Sequence, residues 1–253
     1  SSTKNLNIIN NRFTKLRRET NVEKIFNAIE SYSNEAEIRY VGGCVRKIIN
    51  NEKVDDIDLA TNIDPTKVKE ALENKNIKYF ETGIEHGTIT ALIENDKFEI
   101  TSLRSDIKTD GRHAEIEFTT DWIKDAERRD FTINSIYADI NGNLFDPFDG
   151  KKDLENGLIK FIGEPEQRIK EDYLRILRYL RFHLNYSKHP HNLDVIRTIK
   201  INIGGLSKLS KERLLDELKK IINFNTLEKL SKDKLSLEIF SIIFPELKDI
   251  NFF

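Results

Sequence analysis

The side chains best suited to chemistry fall between residues 41 and 61, VGGCVRKIINNEKVDDIDLAT. An apolar run, Ile38-Arg39-Tyr40-Val41, is predicted to be a strand. It meets Gly42-Gly43, where the backbone can turn tightly and approach a ligand with no Cβ in the way. A helix starting there would turn its first N–H groups toward a phosphate, and Arg46 in the first turn adds a charge. Asp56-Ile57-Asp58 is predicted to be a second strand. Alternate strand residues share a face, so both carboxylates aim at one spot. Two acids beside a phosphate seat is the arrangement that holds Mg²⁺ against a nucleoside triphosphate. A lone Gly-Gly is usually a turn and a lone Asp-x-Asp a solvated strand end; their order and spacing together make the motif.

Further candidates lie downstream. Residues 87–103 alternate as a hairpin about Asn95-Asp96. Phe98 and Ile100 share its apolar face, so Glu99 points the other way with Thr101. On the same sheet face as the aspartates, Glu99 is a third carboxylate; by spacing alone it is a solvent-facing glutamate. Arg128-Arg129 can pair with carboxylates structurally or with phosphates functionally. Arg175, Arg178 and Arg181 recur at i, i+3, i+6, with Asp172 three residues before Arg175. Alone, they read as an exposed helix with one ion pair and a basic stripe. His113 reads as a loop residue, since no second His or Cys stands at metal spacing. Cys44 is the only cysteine; it excludes an internal disulfide and reads as a small apolar residue behind the glycine turn.

These residues need elements to hold them. Helical periodicity covers residues 4–33, with Leu6, Ile9, Phe13 and Leu16 as one stripe. Asp64-Pro65 opens a helix over 66–73, and 77–80 is a strand. Residues 104–117 are polar and aperiodic, a mobile loop containing Asp110 and Arg112. Asp121 caps a helix over 122–127. Residues 139–145 form a small hairpin about Asn141-Gly142, 146–150 a rigid turn, and Asp153-Leu154 opens a short helix. After about residue 163 strand signals stop and helices take over, with a break at Gly204-Gly205. The expected domains are an N-terminal helical segment (1–34), a mixed catalytic part (35–162) and a helical part (163–253).

At 253 residues the chain can bury a sizeable core. Its net charge of −2 excludes a global attraction to nucleic acid, so any such site must be a local basic face. No apolar run reaches membrane-spanning length and no signal peptide is visible, which points to the cytoplasm. The opening Ser1-Ser2, with no initiator methionine, suggests a trimmed start.

As a set, GGCVR, DDIDLAT, HGT, DGRHAEIEFT, RRDFTINSIYAD, DPFDG followed by DL, and EDYLRILRYLRF resemble the class II tRNA nucleotidyltransferases, the family of CCA-adding enzymes and bacterial poly(A) polymerases. The resemblance covers residues 38–185. It implies an α+β fold: an N-terminal nucleotidyltransferase head with a small mixed sheet and helices, then an all-helical neck and body. It implies template-independent addition of C and A from CTP and ATP to the 3′ end of tRNA by two-metal catalysis with Mg²⁺. Asp56 and Asp58 match the metal-binding pair and Glu99 the third catalytic carboxylate. Gly43, Arg46 and Arg129 match triphosphate-binding positions. Asp172 and Arg175 match residues that read the base, and Arg178 and Arg181 further nucleotide contacts. Asp110 and Arg112 match a flexible element that assists the switch from C to A. No obligate protein partner is implied. Lys47 stands where the family carries an acid. The alternatives are a CC-adding, A-adding or poly(A)-polymerase relative, or a catalytically impaired RNA-binding homologue, which Lys47 alone supports. The tail that grips the tRNA elbow is expected to be reduced, lowering tRNA affinity.

Overall fold

The computed structural model describes residues 2–108 and 114–245. Asp110, Arg112 and His113 lie outside that range. The chain forms two compact units, Ser1–Lys151 and Lys152–Phe253. The boundary expected near residue 162 falls inside the second.

The first unit opens with helices α1 (Ser2–Glu19) and α2 (Val22–Glu30). Of the predicted stripe on α1, Ile9 and Phe13 are buried, whereas Leu6 is 45% exposed. Strand β1 (Ile38–Val41) leads through Gly42 into α3 (Gly43–Ile49), and β2 (Ile57–Thr61) follows. Asp56 sits at a bend one residue ahead of β2, outside the strand predicted for it. Helix α4 (Pro65–Asn74) begins as expected, with the Asp64 carboxylate accepting from the Lys67 N–H and proline in the first turn. Then come β3 (Lys78–Gly83), β4 (Thr88–Ile93) and β5 (Asp96–Ser102). Ile93 faces Asp96 in register, so the two-residue turn is Glu94-Asn95, one position earlier than predicted; Glu94 takes the left-handed φ of 55°.

Residues predicted as a loop supply strands β6 (Arg104–Lys108) and β7 (Ala114–Phe118), an antiparallel ribbon separate from the main sheet. Helix α5 (Trp122–Glu127), short strands β8 (Tyr137–Ala138) and β9 (Leu144–Phe145), and helix α6 (Gly150–Asn156) follow. The main sheet runs β3-β4-β5-β2-β1-β8-β9 and is antiparallel except for the β2–β5 pair. One parallel pair at the centre is what brings Asp58 and Glu99 side by side. Beneath it, the Tyr40 ring packs 5.2 Å from Phe13 and 5.0 Å from Phe26. These fully buried aromatics fasten the two N-terminal helices to β1 through apolar burial and ring packing.

The second unit is helical: α7 (Pro165–Glu171), α8 (Leu174–Tyr186), α9 (Leu193–Asn202), α10 (Lys211–Ile221), α11 (Phe224–Lys232) and α12 (Lys234–Ile243). The single helix predicted across EDYLR is broken: α7 ends at Glu171, Asp172 is extended (φ −155°, ψ 103°), and α8 starts at Leu174. The Gly204-Gly205 break is a 3₁₀ turn over Ile203–Lys208. Its two glycines differ. A Cβ on Gly204 would meet nothing within 4 Å, whereas one on Gly205 would stand 2.1 Å from the Tyr173 ring. Gly205→Ala is therefore expected to destabilise by about 1–3 kcal/mol, the range for overpacking. Gly204→Ala should leave the melting temperature near wild type. Parallel melts of the two variants check this.

Candidate active site

The glycine turn is built by backbone need. Gly42 has φ +67°, strained for any L side chain, and its N–H donates to the Ile136 carbonyl at 3.3 Å. A Cβ there would lie 3.7 Å from Arg129 Nη1, and one on Gly43 would lie 3.6 Å from Arg46 Nη2. Two guanidinium groups thus border the turn where no side chain intervenes. Behind it the Cys44 thiol contacts the carbonyls of Val41 and Asp58, both at 3.5 Å. Burial, then the charge of Asp58, pushes this thiol up to about 12, so it packs as an inert residue.

On the next strand, Asp58 pairs in parallel register with Glu99 of β5. The side-chain alternation predicted for β5 holds: Phe98 and Ile100 are fully buried and Glu99 is exposed. The Asp58 carboxyl is pushed up to about 7, first by burial, then by the charge of Glu99 and a hydrogen bond to it, then by Asp56; Arg129 pulls the other way. An acid whose ionisation is made costly by burial and by two neighbouring acids, facing a half-buried guanidinium, belongs to a donor set that a hard divalent cation relieves. Asp56 and Asp58 fit that role, with Glu99 beside them. Lys47 is half-buried on α3, and among the described residues no side-chain partner accounts for a cation at this position.

The arginines are placed by residues the sequence reading did not single out. Arg46 is buried and donates to Asn134 Oδ1; Asn134 in turn donates to Asp130 Oδ1 at 3.1 Å. Arg129 donates to Asp125 Oδ2 at 3.1 Å and to the Tyr137 hydroxyl at 3.3 Å. Asp125, 1% exposed, also takes Arg128 at 3.2 Å, the Tyr137 hydroxyl at 2.5 Å and the Arg104 backbone N–H at 3.2 Å. Its signal was in the sequence: Asp125 stands three and four residues before the arginine pair, the spacing of helix-face neighbours.

Asp172, Arg175, Arg178 and Arg181 belong to the second unit. Arg213 of α10 grips Asp172 with two parallel hydrogen bonds, 3.1 and 2.8 Å, and the Leu174 N–H donates to the same carboxylate at 3.2 Å. Arg175 donates to the Arg168 carbonyl at 2.8 Å and to Glu171 at 3.2 Å. Arg178 lies 5.2 Å from the Phe182 ring centroid. Arg181 lies over the same ring and is ion-paired at 2.5 Å with Glu217, which is 2% exposed.

A glycine turn flanked by arginines, with paired carboxylates on adjacent strands, defines a nucleotidyltransferase head. Residues 38–160 match the family described as the poly A polymerase head domain. The chain is 50% identical over 189 residues to the CCA tRNA nucleotidyltransferase 1, mitochondrial, of Homo sapiens, covering 74% of this chain and 44% of that protein. It is 39% identical over 194 residues to the CCA-adding enzyme of Lactobacillus johnsonii, covering 74% and 47%. The Bacillus stearothermophilus CCA-adding enzyme in complex with CTP superposes with a TM-score of 0.70 at 28% identity, covering 84% of this chain and 51% of that one. A tRNA nucleotidyltransferase complexed with a primer tRNA and an incoming ATP analog gives 0.66 at 27% identity, covering 83% and 59%. The chain belongs to the class II tRNA nucleotidyltransferases, the family of the CCA-adding enzymes. It spans about half the length of the relatives it matches. Nucleotidyltransferases of this family use divalent metal ions.

Proposed function

We propose that this chain adds C and A from CTP and ATP to the 3′ end of tRNA. The observation that carries the proposal is the parallel pairing of Asp58 with Glu99 beside the Gly42 turn and Arg129. In the reaction the terminal 3′ oxygen attacks the α-phosphorus, its proton is lost, and the bond to pyrophosphate breaks. Asp56 and Asp58 would hold Mg²⁺, which would lower the cost of the hydroxyl's deprotonation and of the charge on the leaving pyrophosphate. Glu99, in register beside Asp58, keeps negative potential where the hydroxyl proton departs. Gly43 leaves the backbone open to the triphosphate. Arg46, held by Asn134, and Arg129, held by Asp125, orient it by fixed positive charge.

Asp172 reads the incoming base: its carboxylate accepts from the exocyclic amine that cytosine and adenine share, and Arg175 donates to a ring or carbonyl acceptor. Uracil and guanine would set a carbonyl against the carboxylate. Arg178 and Arg181 contribute further nucleotide contacts, and Asp110 and Arg112 assist the change from C to A. Cytoplasmic residence suits the single, buried Cys44 thiol. Incubating tRNA lacking its 3′ end with CTP, ATP or both tests the function: a three-nucleotide product is expected. Two nucleotides, one, or a long A tract would identify a partial relative, and no product with intact tRNA binding an RNA-binding homologue.

Arg213 fixes the rotamer of Asp172, so it sets selectivity from outside the base contact. Arg213→Ala should lower the preference for CTP over UTP about tenfold, within the 1–3 kcal/mol that an unpaired polar group costs. The pair is half-exposed, so stability should change by less than about 1 kcal/mol. Asp172→Ala should remove the preference altogether; competition between CTP and UTP measures both. Unchanged selectivity in Asp172→Ala would remove the base-reading role.

A further inference from the structure

Within the second unit, three metal-ligating side chains converge, none of them among the residues assigned above. Among the described residues, His183, His191 and Asp233 are the one such group whose ligand atoms all lie within 4.8 Å of one another. We propose that they form a site for a borderline divalent transition ion such as Zn²⁺, binding through both Nε2 atoms and the Asp233 carboxylate.

The distances suit it. A tetrahedral ion bound at about 2.0–2.2 Å sets its ligand atoms about 3.4 Å apart. His183 Nε2 lies 3.6 Å from Asp233 Oδ2, and His191 Nε2 lies 3.1 Å from the same oxygen. The Ser236 hydroxyl is 3.0 Å from His191 Nε2, leaving the fourth position to it or to water. Both imidazoles are buried, 8% and 9% exposed. The Tyr179 hydroxyl sits 3.0 Å from His191 Nδ1, the outer hydrogen bond that metal-bound histidines require.

The ligands come from three places: His183 from α8, His191 from the irregular segment ahead of α9, and Asp233 from the N-cap of α12. An ion there would join segments 50 residues apart in the chain. The two rings are stacked 3.5 Å apart and 16° from parallel, so uptake requires them to splay. His191 lies outside any helix.

The test uses the full chain, freed of metal by chelation and held in excess Mg²⁺ so that hard-oxygen sites are saturated. Zn²⁺ is added, and Co²⁺ in a parallel sample. One equivalent of Co²⁺ should give the visible absorption of a four-coordinate N/O site, and Zn²⁺ should abolish it and raise the melting temperature by several degrees. Asp233→Asn keeps a side chain that caps helices equally well, so its metal-free melt should stay close to wild type while Zn²⁺ affinity falls at least tenfold. Were that variant not to fold, His183→Gln replaces it, with the same loss of affinity expected. A wild-type chain that takes up no Co²⁺ under these conditions overturns the site, and so does a Zn²⁺ shift that survives in the variant.

Discussion

Asp58→Asn is expected to abolish nucleotide incorporation and, without metal, to stabilise the fold at alkaline pH. On activity, loss of one anionic ligand from a two-carboxylate metal seat removes several kcal/mol of charge stabilisation. Incorporation of CMP into tRNA should fall by about 10³-fold or more. On stability, the sign follows from the raised carboxyl. The ordinary value is 3.8 and the folded one about 7. Below the lower value both folded and unfolded chains carry the proton, and Asp58 imposes no penalty. As pH rises through the window, the unfolded chain releases its proton first, so stability is lost progressively up to about pH 7. Asparagine keeps the shape without the charge. In chelator the variant should therefore melt above wild type at pH 8 and close to it at pH 4. Adding Mg²⁺ should narrow the gap at pH 8 by stabilising only wild type. Full incorporation by the variant would remove Asp58 from the chemistry. A variant no more stable than wild type at pH 8 would contradict mutual repulsion of the acids.

What could be read in advance divides along physical lines. Gly42, Asp58 and Glu99 were legible because strand alternation and glycine's backbone freedom are local rules. Phe98 and Ile100 had to be buried, so Glu99 had one direction left. The parallel register that seats Glu99 against Asp58 was not local, since the two residues are 41 positions apart. Strand β6 escaped because its residues, Arg104-Ser105-Asp106-Ile107-Lys108, carry no apolar alternation; β7, Ala114-Glu115-Ile116-Glu117-Phe118, does alternate, but the polar stretch ahead of it masked the signal, and pairing within the ribbon holds both. The break at Asp172-Tyr173 was hidden by continuous helical periodicity on either side. Arg213 and Glu217 gave no sign either, since α10 reads as an ordinary charged helix until its partners on other segments are known. The triad of His183, His191 and Asp233 was missed for the same reason: its members are eight and 42 residues apart, and metal spacing was sought along the chain.

Asp125 is the opposite case: the spacing was visible and only its burial was not. A carboxylate 1% exposed, between two arginines and a tyrosine hydroxyl, is the anchor of Arg129 and hence of the proposed triphosphate seat. Burial pushes its carboxyl up, but Arg129 and then Arg128 outweigh burial and hold it below the ordinary range. Removing one partner of a buried ion pair costs about 3–5 kcal/mol, because the remaining charge stays desolvated. Asp125→Asn should lose that much by chemical denaturation. A depressed carboxyl contributes stability that is present above its unfolded value and lost as pH falls through the folded one. The variant's stability should therefore decline less than wild type's between pH 5 and pH 2. Its guanidinium anchor gone, Arg129 should hold nucleotide less well, and KM for CTP should rise more than kcat falls. Arg128→Ala supplies the control: it also breaks a contact to Asp125 but leaves Arg129 anchored, so its KM should stay nearer wild type. An Asp125→Asn enzyme with normal KM would mean that Tyr137 alone suffices to aim Arg129. A wild-type acid limb in the variant would mean that Asp125 is not the carboxylate whose protonation weakens the fold.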